Sequence, residues 1–179
     1  MTKRLTIALT LLIAVISAAF AAEPAVRRPL RFAWGAEVTG NVDMGEHNTS
    51  SPGINAEFGL QWRWIRFFGI GAEADVAVSN STRAVPLMAI FRTDFCQSRQ
   101  LVFMDLRGGM SLNYPDMMSQ STNPYASAGI GMTLASGKTF TSHLIMAYTY
   151  MGIKECRNGD YVRDCPGYSY VSFRLGLQF

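Results

Sequence analysis

The sequence predicts an all-β fold: an eight-stranded antiparallel up-and-down transmembrane β-barrel that follows a cleaved signal peptide. Apolar residues recur at every second position in eight segments, which is the period of a strand and not of a helix. No apolar run after residue 22 reaches the roughly 18 residues that a spanning helix needs. The connections between segments also alternate in length, which favours a barrel whose two ends face different compartments.

The first 21 residues have the features of a secretory signal peptide. Lys3 and Arg4 provide a positive start, an apolar stretch follows, and Ala19 and Ala21 are the small residues that precede a cleavage point. We expect cleavage after Ala21, which leaves 22–179 as one barrel domain. The alternative is a retained anchor helix, which the short apolar stretch and its alanine-rich end disfavour.

Eight segments alternate in the mature chain, and polar or turn-forming residues separate them. The fourth is the least regular, because Pro86 near its start predicts a bulge or an edge of the paired region. The first, third, fifth and seventh connections are each predicted to be longer than the even-numbered ones beside them. The predicted strands are 30–40, 53–64, 68–78, 85–95, 101–113, 124–135, 139–151 and 169–179.

One face of the predicted strands combines glycines with charged residues, whereas the other carries large apolar residues and almost no charge. A charge at the bilayer centre costs about 2–4 kcal/mol, so we expect the apolar face to contact lipid and the charged face to line the interior. There, opposite charges would pair as a network. A soluble, lipocalin-like barrel with its apolar face inside is the alternative. The predicted network is Arg31, Glu37, Glu57, Arg63, Glu73, Asp75, Arg92, Asp94, Asp105, Arg107 and Arg174.

Aromatic residues cluster near the predicted strand ends, as in the interfacial belts of membrane proteins. The belt on the side of the short connections comprises Trp34, Trp62, Trp64, Phe68, Phe95, Phe140 and Phe179. The belt on the side of the long connections comprises Tyr114, Tyr148 and Tyr150.

The last predicted strand places apolar residues at alternate positions up to a terminal aromatic residue: Phe173, Leu175, Leu177 and Phe179. With the leader, the eight strands and the charged interior, this pattern resembles the small eight-stranded bacterial outer-membrane β-barrels of the OmpA/OmpX kind. The resemblance implies residence in the outer membrane of a Gram-negative bacterium. It also implies that the terminal strand is the assembly signal for the barrel assembly machinery.

Several functions occur on barrels of this class, so the resemblance does not select one. We expect a structural or surface-interaction role (adhesion or envelope integrity) with a plugged polar interior. The expected partners are outer-membrane lipids, lipopolysaccharide and a host or surface ligand at the extracellular loops. A narrow porin and an enzyme that modifies lipid A remain as alternatives. No cofactor or metal site is predicted, and a net charge of +3 without a basic cluster argues against nucleic acid.

Two of the three cysteines, Cys156 and Cys165, lie in the longest predicted loop. Export to an oxidising compartment favours a disulfide between them. This loop is the best candidate for a contact surface, with capping of the barrel as the alternative. Cys96 falls at the opposite end, as a free or buried thiol or a lipid-facing residue.

Two enzyme templates on eight-stranded outer-membrane barrels do not fit well. The lipid A deacylases resemble hydrolases with a His and a Ser two positions apart on the lipid-facing side. Here Ile145 stands at that distance from His143, which falls on the interior face, and Ser142 points the other way. The lipid A palmitoyltransferases use loop residues of the types present in the first predicted loop, but these types are common in any exposed loop. Those residues are Asp43, His47, Ser50 and Ser51.

Overall fold

The computed structural model describes residues 28–44, 50–63, 65–76, 83–95, 101–114, 121–137, 139–152, 156–158, 161–163 and 167–179. Eight long strands within these ranges form a closed antiparallel barrel in the order β1-β10-β7-β6-β5-β4-β3-β2, and β8 and β9 form a separate hairpin. The strands are β1 Arg28–Asp43, β2 Ser50–Arg63, β3 Ile65–Val76, β4 Arg83–Asp94, β5 Val102–Tyr114, β6 Ser121–Ser136, β7 Thr141–Met151, β8 Cys156–Asn158, β9 Tyr161–Arg163 and β10 Tyr168–Gln178.

This architecture confirms the prediction of an all-β, eight-stranded, antiparallel closed barrel. Sequence neighbours pair as hairpins around the wall, and β1 pairs with β10 to close it. We refer to the end where β1 begins and β10 ends as the lower end, and to the opposite end as the upper end. The described residues include no helix that is long and apolar enough to cross a membrane.

The predicted alternation in connection length stays a prediction, because residues 77–82 and 96–100 of two compared connections lie outside the described residues. Several polar residues assigned to loops instead extend the strands at the upper end, where Asn41 pairs with Ser51 and Asn123 pairs with Ser111. Strand pairing needs only backbone hydrogen bonds, so it continues past the point where apolar side chains stop.

Pro86 interrupts pairing on one side of β4 only. Its ladder with β5 is continuous through the Pro86–Ser111 pair, but its register with β3 passes from Leu87–Ala72 to Ala84–Asp75 with no pair between them. A proline lacks the backbone N–H that the β3 side would require. This irregularity agrees with the prediction made for the fourth strand.

The two surfaces of the wall differ in polarity along every long strand. Outward-facing apolar side chains are well exposed, for example Ile54 at 66%, Ile70 at 68% and Met146 at 59%. Inward-facing side chains are buried, and most of them are polar or charged. Small apolar clusters fill the remaining interior, such as Phe67 with Ile90 and Met88.

Candidate functional site: the charged interior

Arg92 on β4 is the hub of the ion-pair network near the middle of the barrel. Its Nε donates to Asp105 Oδ2 at 2.7 Å, and its Nη1 donates to Glu57 Oε1 at 2.6 Å. Its Nη2 donates to Glu37 Oε1 at 2.6 Å and to Glu57 Oε2 at 2.8 Å. One guanidinium therefore engages carboxylates from β1, β2 and β5 with every nitrogen, as its planar, forked geometry allows.

Arg107 on β5 provides the second positive charge of this network. Its Nε donates to Asp105 Oδ1 at 2.8 Å, and its Nη1 lies 2.8 Å from Glu37 Oε2. His143 on β7 contacts the same carboxylate, with Nε2 2.9 Å from Glu37 Oε1. Glu37 thus joins side chains from opposite walls of the barrel, and we call these six residues the central layer: Glu37, Glu57, Arg92, Asp105, Arg107 and His143.

Every side chain that forms an ion pair in the central layer has 0% exposure. Burial of unpaired charges would be costly, so these groups are stable inside only because each has close partners. Glycines on neighbouring strands provide the necessary space. A Cβ on Gly176 would come within 2.5 Å of His143 Nε2 and 2.7 Å of Glu37 Cγ.

Three side chains that could ligate a metal ion meet in the central layer, since oxygen or nitrogen atoms of Glu37, Glu57 and His143 all lie within 4.8 Å of one another. The same oxygens already accept hydrogen bonds from the guanidinium groups of Arg92 and Arg107. A cation placed there would face two positive charges. The central layer is therefore chemically suited to internal ion pairing and not to metal binding.

Above the central layer lies a second group of buried polar residues, organised around Arg174 on β10. Its Nη2 donates to Tyr125 Oη and Ser127 Oγ at 3.1 Å each, and to Thr149 Oγ1 at 3.0 Å. Tyr125 Oη in turn lies 3.5 Å from Glu73 Oε2. Together with three buried polar residues of neighbouring strands, these side chains form what we call the upper layer: Thr39, Asn55, Glu73, Asp75, Tyr125, Ser127, Thr149 and Arg174.

A third group fills the barrel toward its lower end. Arg66 Nη1 pairs with Asp94 Oδ1 at 3.1 Å, and its Nη2 donates to Thr133 Oγ1 at 2.9 Å. The Arg66 guanidinium carbon lies 4.2 Å from the centroid of the Phe103 ring, and this ring meets His143 edge-on with centroids 5.9 Å apart. This stack links the lower end to the central layer.

The structure places most of the predicted interior charges in one of these three groups. Arg31 is an exception, because it is exposed at the lower end and donates to Gln61 Oε1 at 2.8 Å. The side chain of Arg63 lies outside the described part of the chain. The predicted residues found buried in the interior groups are Glu37, Glu57, Glu73, Asp75, Arg92, Asp94, Asp105, Arg107 and Arg174.

Sequence reasoning missed Arg66, which it assigned to a turn. Arg66 and Phe67 are both buried, because a register shift between Ile65 and Phe67 breaks the alternation at the start of β3. A bulge of this kind interrupts the alternation of faces, so that two successive side chains are both buried in the interior. The sequence feature that could have indicated a buried Arg66 is its position beside an aromatic residue at a very short connection.

The catalytic templates considered from the sequence gain no support among the described residues. His143 is buried against Glu37, whereas Ser142 lies on the outer face and its Oγ contacts the carbonyl oxygen of Ala135 at 3.5 Å. His47 lies outside the described residues. Within the described ranges, Ser142 and His143 therefore do not form a pair of nucleophile and base.

The remaining predicted features vary in how much of them can be located. On the outer surface, Trp34 stacks on Phe179 with ring centroids 4.6 Å apart, and Tyr148 and Tyr150 are exposed near the upper end. Cys156 begins the β8–β9 hairpin, but Cys165 and Cys96 lie outside the described residues. No protein-family model and no curated protein matches this chain.

Proposed function

We propose that this chain is an integral outer-membrane β-barrel protein of a Gram-negative bacterium, with a plugged interior and a structural or surface-interaction role. The observation that carries the proposal is the reversed polarity of the barrel wall. Charged side chains such as Arg92 and Glu37 are fully buried, whereas large apolar side chains are exposed on the outer surface. A soluble barrel of this size would have the opposite arrangement.

The outer surface has the chemistry of a lipid-facing wall. Outward-facing residues along the strands are apolar, and the exposed aromatic residues include Tyr148 and Tyr150 near the upper end and Trp34 and Phe179 at the lower end, where interfacial anchors lie. Phe173, Leu175 and Leu177 of β10 all belong to this surface, as the proposed assembly signal requires. A leader at 1–21 would direct the chain to export, and lipids and lipopolysaccharide would be its immediate neighbours.

The packed interior supports a plugged barrel and disfavours a pore. Arg92, Arg174 and Phe103 are among the largest fully buried side chains, and they project inward from different strands at successive heights. Eight strands enclose little more than the volume of their own side chains. Function would then reside in the connections at the upper end, where a Cys156–Cys165 disulfide would stabilise the β8–β9 hairpin and present it to a surface ligand.

Membrane residence can be tested by expressing the chain in a Gram-negative host and separating inner from outer membranes by density. We expect it in the outer-membrane fraction, with faster gel migration before boiling than after. Equal migration in both samples and recovery in the soluble fraction would contradict the proposal. A Cys156→Ser variant analysed without reductant reports separately on the disulfide.

Conductance and lipid analysis separate the alternative functions. We expect no steady single-channel currents in planar bilayers, whereas an open pore would produce them. Mass spectrometry of lipid A with and without expression should give the same acyl pattern. A changed pattern would indicate a lipid A-modifying enzyme.

A further inference from the structure

Formal charges inside the barrel do not balance. The buried carboxylates of the central and upper layers are Glu37, Glu57, Glu73, Asp75 and Asp105. Against these five, the same layers contain three guanidinium groups, Arg92, Arg107 and Arg174. The Arg66–Asp94 pair at the lower end is neutral by itself. Carboxylates therefore outnumber guanidinium groups by two among the described residues of these two layers.

Because Arg174 lies 3.8 Å from Asp105, the three guanidinium groups face the three carboxylates of the central layer, and the excess negative charge falls on Glu73 and Asp75. Glu37, Glu57 and Asp105 are engaged by Arg92 and Arg107. In contrast, Glu73 and Asp75 lie two positions apart on the same face of β3, within hydrogen-bonding reach of each other. No described Arg or Lys forms an ion pair with either of them, and Arg174 is instead 3.8 Å from Asp105.

Oxygen atoms around this pair also lack partners. Glu73 Oε1 and Asp75 Oδ1 are buried and accept no hydrogen bond, and the same holds for Thr39 Oγ1 and Asn55 Oδ1. The latter two side chains are 1% and 0% exposed. Buried polar atoms almost always have a partner, so four unpartnered oxygens in one layer point to a group that they share.

The strand register places these four residues on the adjacent strands β1, β2 and β3. Asn55 is the direct cross-strand partner of Glu73, and Gly53 is the partner of both Asp75 and Thr39. The Asp75 carboxylate occupies the space that a side chain at position 53 would need, so it reaches over β2 toward Thr39 on β1. The glycine at position 53 makes this approach feasible.

We propose that Glu73, Asp75, Asn55 and Thr39 form a buried site for a divalent cation of the calcium class. Two carboxylates, an amide oxygen and a hydroxyl are hard oxygen ligands, and calcium accepts irregular sets of six to eight such ligands with water completing the shell. A charge of +2 cancels the excess negative charge of the interior. Arg174 lies in the same layer, where its hydrogen bonds to three hydroxyl groups leave the oxygens of the acidic pair to the cation. The site does not depend on the proposed membrane location.

The test uses the purified barrel in detergent micelles, refolded with CaCl2 or with excess chelator. We expect calcium to slow unfolding in urea by roughly tenfold or more at saturation, since a ligand that binds only the folded state stabilises it. Asp75→Asn and Glu73→Gln should abolish the calcium effect. Asp94→Asn, which removes a carboxylate of the lower end, is the matched control and should retain it.

Terbium provides a direct binding measurement that does not rely on stability. Tyr125 lies close enough to Glu73 to sensitise luminescence of a lanthanide bound at the pair. We expect emission on titration of the wild type with TbCl3, competition by CaCl2, and loss of emission in Thr39→Val combined with Asp75→Asn. The proposal is overturned if no cation changes the unfolding rate or binds. It is equally overturned if Asp75→Asn and Glu73→Gln retain the calcium effect, or if the interior responds to pH alone because the acidic pair shares a proton.

Discussion

The central and upper layers of the barrel stabilise their buried charges in different ways. Both bury arginines and carboxylates, but Arg92 bonds three carboxylates with all its nitrogens, whereas Arg174 donates mainly to hydroxyl groups. Its Nε and Nη1 have no hydrogen-bond partner, and neither has one oxygen of Glu73 or Asp75. The unpartnered atoms of the central layer are two nitrogens, Arg107 Nη1 and His143 Nδ1, whereas the upper layer also has unpartnered oxygens.

The largest effect is expected from breaking the central layer. Arg92→Ala would leave three buried carboxylates facing one remaining arginine, and loss of one partner from a buried ion pair costs about 3–5 kcal/mol. Urea unfolding in detergent or lipid vesicles measures this loss. Arg83→Ala is the matched control, because Arg83 is exposed at the upper end of the same strand and its removal should change stability by less than about 0.5 kcal/mol. Equal stability of the two variants would contradict the role given to Arg92.

A charge on the outer wall sharpens the contrast between the inside and the outside of the barrel. Met146→Arg places a guanidinium at the middle of β7, where Met146 is exposed on the apolar surface. If that surface faces lipid, the variant should lose about 2–4 kcal/mol of unfolding free energy in vesicles. Ser142→Arg, on the same face near the lower end, should cost about 0–1 kcal/mol. A Met146→Arg barrel as stable as the wild type in vesicles would count against lipid contact.

Adjacent glycines on β5 allow the same contrast to be tested with a single methyl group. A Cβ on Gly109 would collide with the Leu87 carbonyl oxygen, whereas a Cβ on Gly108 meets nothing within 4 Å. We expect Gly109→Ala to destabilise the barrel by about 1–3 kcal/mol through overpacking. Gly108→Ala should be neutral or slightly stabilising, because it reduces the freedom of the unfolded chain. Equal unfolding midpoints for the two variants would show that the interior is less tightly packed than described.

The smallest effect is expected in the upper layer. Tyr125→Phe removes a hydroxyl that accepts from Arg174 and lies near Glu73, which should cost about 1 kcal/mol in calcium-free buffer. This is less than the loss expected for Arg92→Ala, since no carboxylate loses its only cation. Urea unfolding under matched conditions provides the comparison, and a loss as large as that of Arg92→Ala would remove the distinction between the layers.

The sequence was sufficient to predict the barrel and the orientation of most of its residues, although Arg31, predicted to line the interior, is exposed. The two-residue period places Arg92, Asp105 and Glu37 on one face whichever strands they belong to, so the interior charges followed from the alternation. The alternation did not predict which of these charges pair with each other, because the pairing of Arg92 with Glu37 depends on the stagger of strands that are not adjacent in the barrel. Arg66 was missed for a local reason, since its bulge interrupts the period on which the prediction rested.

The closure of the barrel by β1 and β10 has a consequence for folding. Every other pair of neighbouring strands is joined by a local connection, but Trp34 and Phe179 exchange backbone hydrogen bonds across almost the whole described chain. Such distant contacts form late, because the loop-closure entropy precedes any gain from them. Glu37 lies on β1, so it meets Arg107 and His143 across the interior only when this seam forms. An open, partly folded sheet would leave the Glu37 carboxylate without these partners. The pairing of β1 with β10 and the neutralisation of Glu37 are therefore a single cooperative event.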